Sequence, residues 1–137
     1  MTEASQAGSC NSRIGQHLDG RIADLGRLWR NYRAGEEAED ETFSEYGLAF
    51  DFVAAHMFAD QPEAYFRYQL SWGGPSDEFR FFVNPDLSCH RIEYWFLDWF
   101  DGASLLVSGG SAELLSEIWD YFREAGIAAA ALKAGVQ

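Results

Sequence analysis

The chain has 137 residues, 47% of them hydrophobic and 16% aromatic, enough for one core without disulfides and incompatible with wholesale disorder. Its 22 acidic and 10 basic side chains leave a formal net charge of -12, which excludes binding that relies on Lys and Arg neutralising phosphates, so no direct nucleic-acid binding is expected. No apolar run approaches a membrane span, the start MTEASQAGSCNS lacks the pattern of a signal peptide, and two thiols, Cys10 and Cys89, suit a reducing cytoplasm.

Residues 1–11 are small and polar and read as a disordered tail, with residues 12–137 as a single domain and Asn11 or Ser12 as the first helix cap. From Arg13 to Ala34 the apolar residues Ile14, Leu18, Ile22, Leu25, Leu28, Trp29 and Tyr32 form one stripe about 120° wide, which predicts a helix lying on a core. Gly15, Gly20 and Gly26 fall outside the stripe and cost about 1 kcal/mol each relative to Ala, so the helix leans on tertiary packing. Gly35 is its expected C-cap. Arg13, Arg21, Arg27, Arg30 and Arg33 against Asp19 and Asp24 make this segment net +3, and the rest of the chain net -15. That asymmetry points to partners.

The run EEAEDETFSE holds Glu36, Glu37, Glu39, Asp40, Glu41 and Glu45 with no base among them. It reads as a solvated loop, with an anionic interaction surface as the alternative. Tyr46 to Ala55 alternates as a strand, and Gln61-Pro62-Glu63 turns the chain onward.

Tyr65 to Gly102 is the centre. Tyr65, Arg67, Gln69 and Ser71 alternate with Phe66, Tyr68, Leu70 and Trp72; GGPSD reverses the chain; Phe79, Phe81 and Val83 share a face of the next run. After the NPD turn, RIEYWFLDW carries apolar residues on both faces and reads as a central strand. Beyond Gly102, ASLLVS is a fifth strand or a buried connection. Ser111 caps a last helix running to Ala125, with Leu114, Leu115, Ile118, Tyr121 and Phe122 on one side and Glu113, Glu117, Asp120 and Glu124 on the other. Gly126 is the expected C-cap, and IAAAALKAGVQ a short helical piece.

This order predicts an α+β fold: a mostly antiparallel four- to five-stranded sheet with an N-terminal and a C-terminal helix packed on one face. The second face is expected to be aromatic and to be covered by another copy, which makes a homodimer the expected assembly.

Asp77, Glu78, Glu93, Asp98 and Asp101 lie among Arg67, Arg80 and Arg91, and pairing across strands is a simpler reading than a carboxylate acid–base site. His17, His56 and His90 have no ligand spacing, and Cys89 and His90 point to opposite faces of a strand. No catalytic residue, metal or cofactor is expected. Glu113, Glu117, Asp120 and Glu124 follow 4-3-4 spacing, so their carboxylates line one helical face roughly 5 to 6 Å apart. Such a row can stand in for the phosphates of one nucleic-acid strand, and with Glu36, Glu37, Glu39, Asp40 and Glu41 it makes a surface that a basic groove would attract. An ordinary solvated helix face is the bland alternative.

The segments SWGGPSDEFRFFV and IEYWFLDWFDGA resemble an uncharacterised family of small acidic proteins carried by bacterial plasmids, integrative elements and phages. The resemblance spans roughly residues 65–103 and brings no activity or catalytic residue with it. It implies a genomic setting in which small acidic proteins act against host defence. The expected function is therefore an acidic, non-enzymatic inhibitor of a bacterial defence complex, of anti-CRISPR or anti-restriction type, placed on a basic nucleic-acid-binding surface in the cytoplasm of a bacterial host. An immunity protein neutralising a basic toxin and a small enzyme using the central carboxylates are the alternatives.

Overall fold

The computed structural model describes residues 10–98 and 101–135. Helix α1, Cys10–Ala34, follows the predicted apolar stripe and stops at Gly35, whose φ of 71° and bond to the Tyr32 carbonyl end the helical ladder. It begins earlier than expected. The Cys10 amide donates to the Asp101 carboxylate at 2.8 Å and its side chain is fully buried, so Cys10 and Asn11 belong to the helix and not to a tail. The remainder of the predicted tail lies outside the described residues.

The acidic run is not a plain loop. It bridges Ala38 to Glu41 and enters a one-turn helix, α2 (Phe43–Tyr46), where the Thr42 hydroxyl donates to Glu45 at 2.8 Å. Strands β1 (Ala49–Val53), β2 (Tyr65–Ser71), β3 (Ser76–Val83), β4 (Cys89–Asp98) and β5 (Asp101–Leu106) follow, then helices α3 (Gly109–Glu124) and α4 (Ile127–Gly135). The five strands pair in chain order, every neighbour antiparallel, so β3 is the central strand and β4 lies one in from the edge. Helix α3 starts before the expected Ser111 cap, flanked by Ser108 with extended backbone, and it ends at Glu124 with Ala125, one residue before Gly126, as its C-cap.

Period-2 alternation places Phe66, Tyr68 and Leu70 of β2, Phe79 and Phe81 of β3, and Ile92, Tyr94 and Phe96 of β4 on one buried face. Helices α1 and α3 cover that face, and Trp119 of α3 sits at its middle, with ring centroids 5.1 Å from Phe66 and 5.2 Å from Phe81. Each such ring removes enough apolar surface from water to contribute roughly 1.5–3 kcal/mol. Gly26 is buried rather than turned outward, facing Leu114 of α3. At Gly135 the lack of a side chain lets α4 approach β1, since a Cβ would come within 2.9 Å of Phe52.

The second face is not the aromatic sheet expected. Most rings share the parity of Phe66 and Phe79 and go beneath the helices, leaving Tyr65, Phe82 and Trp95 interleaved with Arg67, Glu78, Arg80, Arg91 and Glu93. Exposed large apolar side chains are scattered: Leu48, Met57 and Phe58 before β2, Trp72 past its end, and Leu106 at the sheet edge. No described helix is long and apolar enough to cross a membrane.

Candidate functional site

Four of the five arginines in the positive segment of α1 find carboxylates within the molecule. Arg13 meets Asp98 at 2.5 Å, Arg21 meets Asp77 at 2.7 Å, Arg33 meets Glu117 at 3.0 Å, and Arg27 bonds Glu41. At Asp77, which is buried under α1, the Arg21 fork binds both carboxylate oxygens, and the hydroxyls of Tyr94 and Ser71 each donate at 2.5 Å. Burial pushes that carboxyl upward, but the bonds from Arg21, Ser71 and Tyr94 outweigh it and hold Asp77 below the ordinary Asp value. Arg21 also donates to the Tyr46 hydroxyl, which donates in turn to Asp24, so the network ties α1 to α2 and to the sheet.

The central carboxylates therefore pair differently from the cross-strand scheme. Asp77 and Asp98 take arginines of α1, Asp101 takes the Cys10 amide, and Glu78 and Glu93 pair within their own strands, with Arg80 at 2.7 Å and Arg91 at 3.1 Å. Of Arg67, Arg80 and Arg91, among the described residues, Arg67 alone pairs across strands, with Asp51 of β1 at 2.6 Å. On the open face Arg80 lies between two rings, 3.9 Å from the Trp95 centroid and 4.5 Å from that of Tyr65, while Arg91 stacks on Phe82 at 3.9 Å. Each of Asp77, Glu78, Glu93 and Asp98 thus has an arginine partner, and none of these is set up as an unpaired acid or base. Among the described residues no three His, Cys, Asp or Glu side chains are grouped to hold a metal ion.

The predicted anionic residues divide into engaged and unengaged sets. Glu37 accepts the Phe43 amide at 2.8 Å, Glu41 is held by Arg27, Glu117 accepts both the Trp29 indole and Arg33 at 3.0 Å, and Asp120 faces Arg123 at 3.5 Å. Glu36, Glu39, Asp40, Glu113 and Glu124 are exposed and make no side-chain bond among the described residues. The two acidic segments, far apart in sequence, are linked through neighbouring rings. Helix α1 runs beside α3 so that Tyr32 packs on Tyr121 at 5.5 Å, and Phe43, just beyond the acidic run, packs on both rings at 5.7 and 5.8 Å. Burial raises the Tyr121 hydroxyl's pKa, and Tyr32 and the nearby charge of Glu37 raise it further.

Sequence reasoning missed the bases that temper this surface. Arg27 and Arg33 flank the apolar stripe of α1, and that position, beside whatever packs on the helix, was the available signal. No protein-family model, curated protein or solved structure matches the chain.

Proposed function

We propose that the protein is an acidic, non-enzymatic binding protein that occupies a basic, nucleic-acid-binding surface of a bacterial defence complex, as an anti-CRISPR or anti-restriction inhibitor would. One observation carries this reading: Tyr32 and Phe43, which flank the Glu36–Glu41 run, pack on Tyr121 of α3, so the two acidic segments are neighbours in the fold and both present exposed, unengaged carboxylates. With a net charge of -12, such a face steers encounter with a basic groove and suppresses contact with acidic competitors. Pairing of Asp77, Glu78, Glu93 and Asp98 with arginines supports a binding role over an acid–base one.

The test is capture from a bacterial host carrying CRISPR-Cas and restriction systems, with wild type beside a variant in which Glu36, Glu39, Asp40, Glu113 and Glu124 are all replaced by Lys. Capture of a nucleic-acid-handling complex by wild type only, released as salt rises, is the expected result. Equal capture by both proteins would overturn the reading.

A further inference from the structure

Between the segment Phe58–Glu63 and the open face of the sheet lies a cavity of about 350 Å³. Its frame is rigidly bonded. Gln61 accepts the amides of Met57 and Phe58 and donates to the carbonyls of Ala54 and Glu63, which bonds the segment to itself. On the floor the Trp95 indole donates to Glu93, Arg91 bonds Glu93, and Arg91 reaches up to Glu63 at 2.5 Å. A cavity held this way pays little ordering entropy on binding.

Two charged groups lining it have bonding capacity that the described residues do not fill. Arg80 has only 15% of its side chain exposed, yet of its N–H groups Nε alone is bonded, to Glu78; its terminal nitrogens meet no acceptor among the described residues. Clamped between Tyr65 and Trp95, the guanidinium cannot swing out to seek one. Asp60, on the segment above, is exposed and makes no ion pair or hydrogen bond among the described residues. The remaining wall is apolar, from Phe58, Pro62 and Phe82.

The geometry points to a binding site for a small zwitterion with a flat apolar side chain, the chemistry of a free aromatic α-amino acid. Its carboxylate would take the open fork of Arg80, its ammonium Asp60, and its ring the space beside Phe58 and Pro62. Asp60, Glu63 and Glu93 against Arg80 and Arg91 leave the lining one charge negative, which disfavours phosphates and free dianions. The site lies on the face the helices leave open and is independent of the acidic surface.

The test is an NMR titration of the full chain with L-phenylalanine, following the Trp95 indole and Arg80 Nε–H resonances, with phenylalaninamide and N-acetylphenylalanine as probes lacking one charge each. Saturable shifts confined to these groups and residues 58–63 are expected, with each capped probe at least about tenfold weaker, since a charge-assisted bond is lost. Asp60→Asn, at an exposed position that leaves the fold intact, should weaken L-phenylalanine by about tenfold and leave N-acetylphenylalanine unchanged. Absence of saturable shifts with L-phenylalanine, or equal affinity for the three probes, would overturn the proposal.

Discussion

Arg33 and Glu117, 84 positions apart, meet at 3.0 Å where α1 lies beside α3, and the Trp29 indole donates to the same carboxylate oxygen. Both charged side chains are more than half exposed, so the ion pair itself adds little stability. Its effect is on the surface: it fixes one member of the 4-3-4 carboxylate row and removes part of its charge. The freer carboxylates lie on either side of it along the helix.

Reversal of the unengaged carboxylates is therefore the sharper probe of the acidic face. Replacing Glu36, Glu39, Asp40, Glu113 and Glu124 by Lys should slow association with a basic partner by about tenfold or more and flatten the salt dependence that wild type shows. Stopped-flow association at low and physiological ionic strength measures both. Melting temperature should stay within a few degrees of wild type, because none of these side chains holds the fold together.

Glu117→Lys makes a contrasting case. It breaks bonds to Trp29 and Arg33 at an exposed site, and the expected loss in urea denaturation is about 1 kcal/mol or less. A loss of several kcal/mol would show that Glu117 holds α3 to α1 and is not chiefly a surface charge.

Asp77 should matter far more. Asp77→Ala leaves Arg21 beneath the helix without its carboxylate and strands two hydroxyls, which should cost about 3–5 kcal/mol in chemical denaturation. The pH dependence follows from the direction of the shift. Because the folded pKa lies below the unfolded value near 3.8, the contribution is fully present above that value and is lost as pH falls through the folded pKa. Acid unfolding below about pH 4 should thus be shallower in Asp77→Asn than in wild type, as followed by circular dichroism.

Thiol chemistry reports on the start of α1. Cys10 is fully buried, and burial first, then the charge of Asp101, raises its pKa; burial likewise raises Cys89. Neither should react quickly with an aromatic disulfide reagent at mild alkaline pH in the native state, and both should react at once in denaturant. Fast native labelling of Cys10 would mean that the first turn of α1 opens freely.

Much of the architecture was legible in the residues themselves. Alternation put Phe66, Tyr68 and Leu70, and Phe79 and Phe81, on the helix-covered face, though it grouped Trp72 with them and Trp72 is exposed past the end of β2; the Ile14–Tyr32 stripe marked the buried side of α1, and the carboxylates of α3 fell on its exposed arc. These features are local, set by a period of 2 or 3.6 along one element, and one element's sequence is enough to decide them. What α1's arginines do was not legible. Arg21 finds Asp77 across 56 positions and Arg13 finds Asp98 across 85, because α1 lies over β4 and β5 and Arg21 reaches Asp77 on β3; no pattern within α1 states which strand it will cover. The same holds for the second face, where Tyr65 and Trp95, on different strands, clamp an arginine from the strand between them. Pairing energies act over a few ångströms of space, so the assignment of partners waited on the packing of helix against sheet.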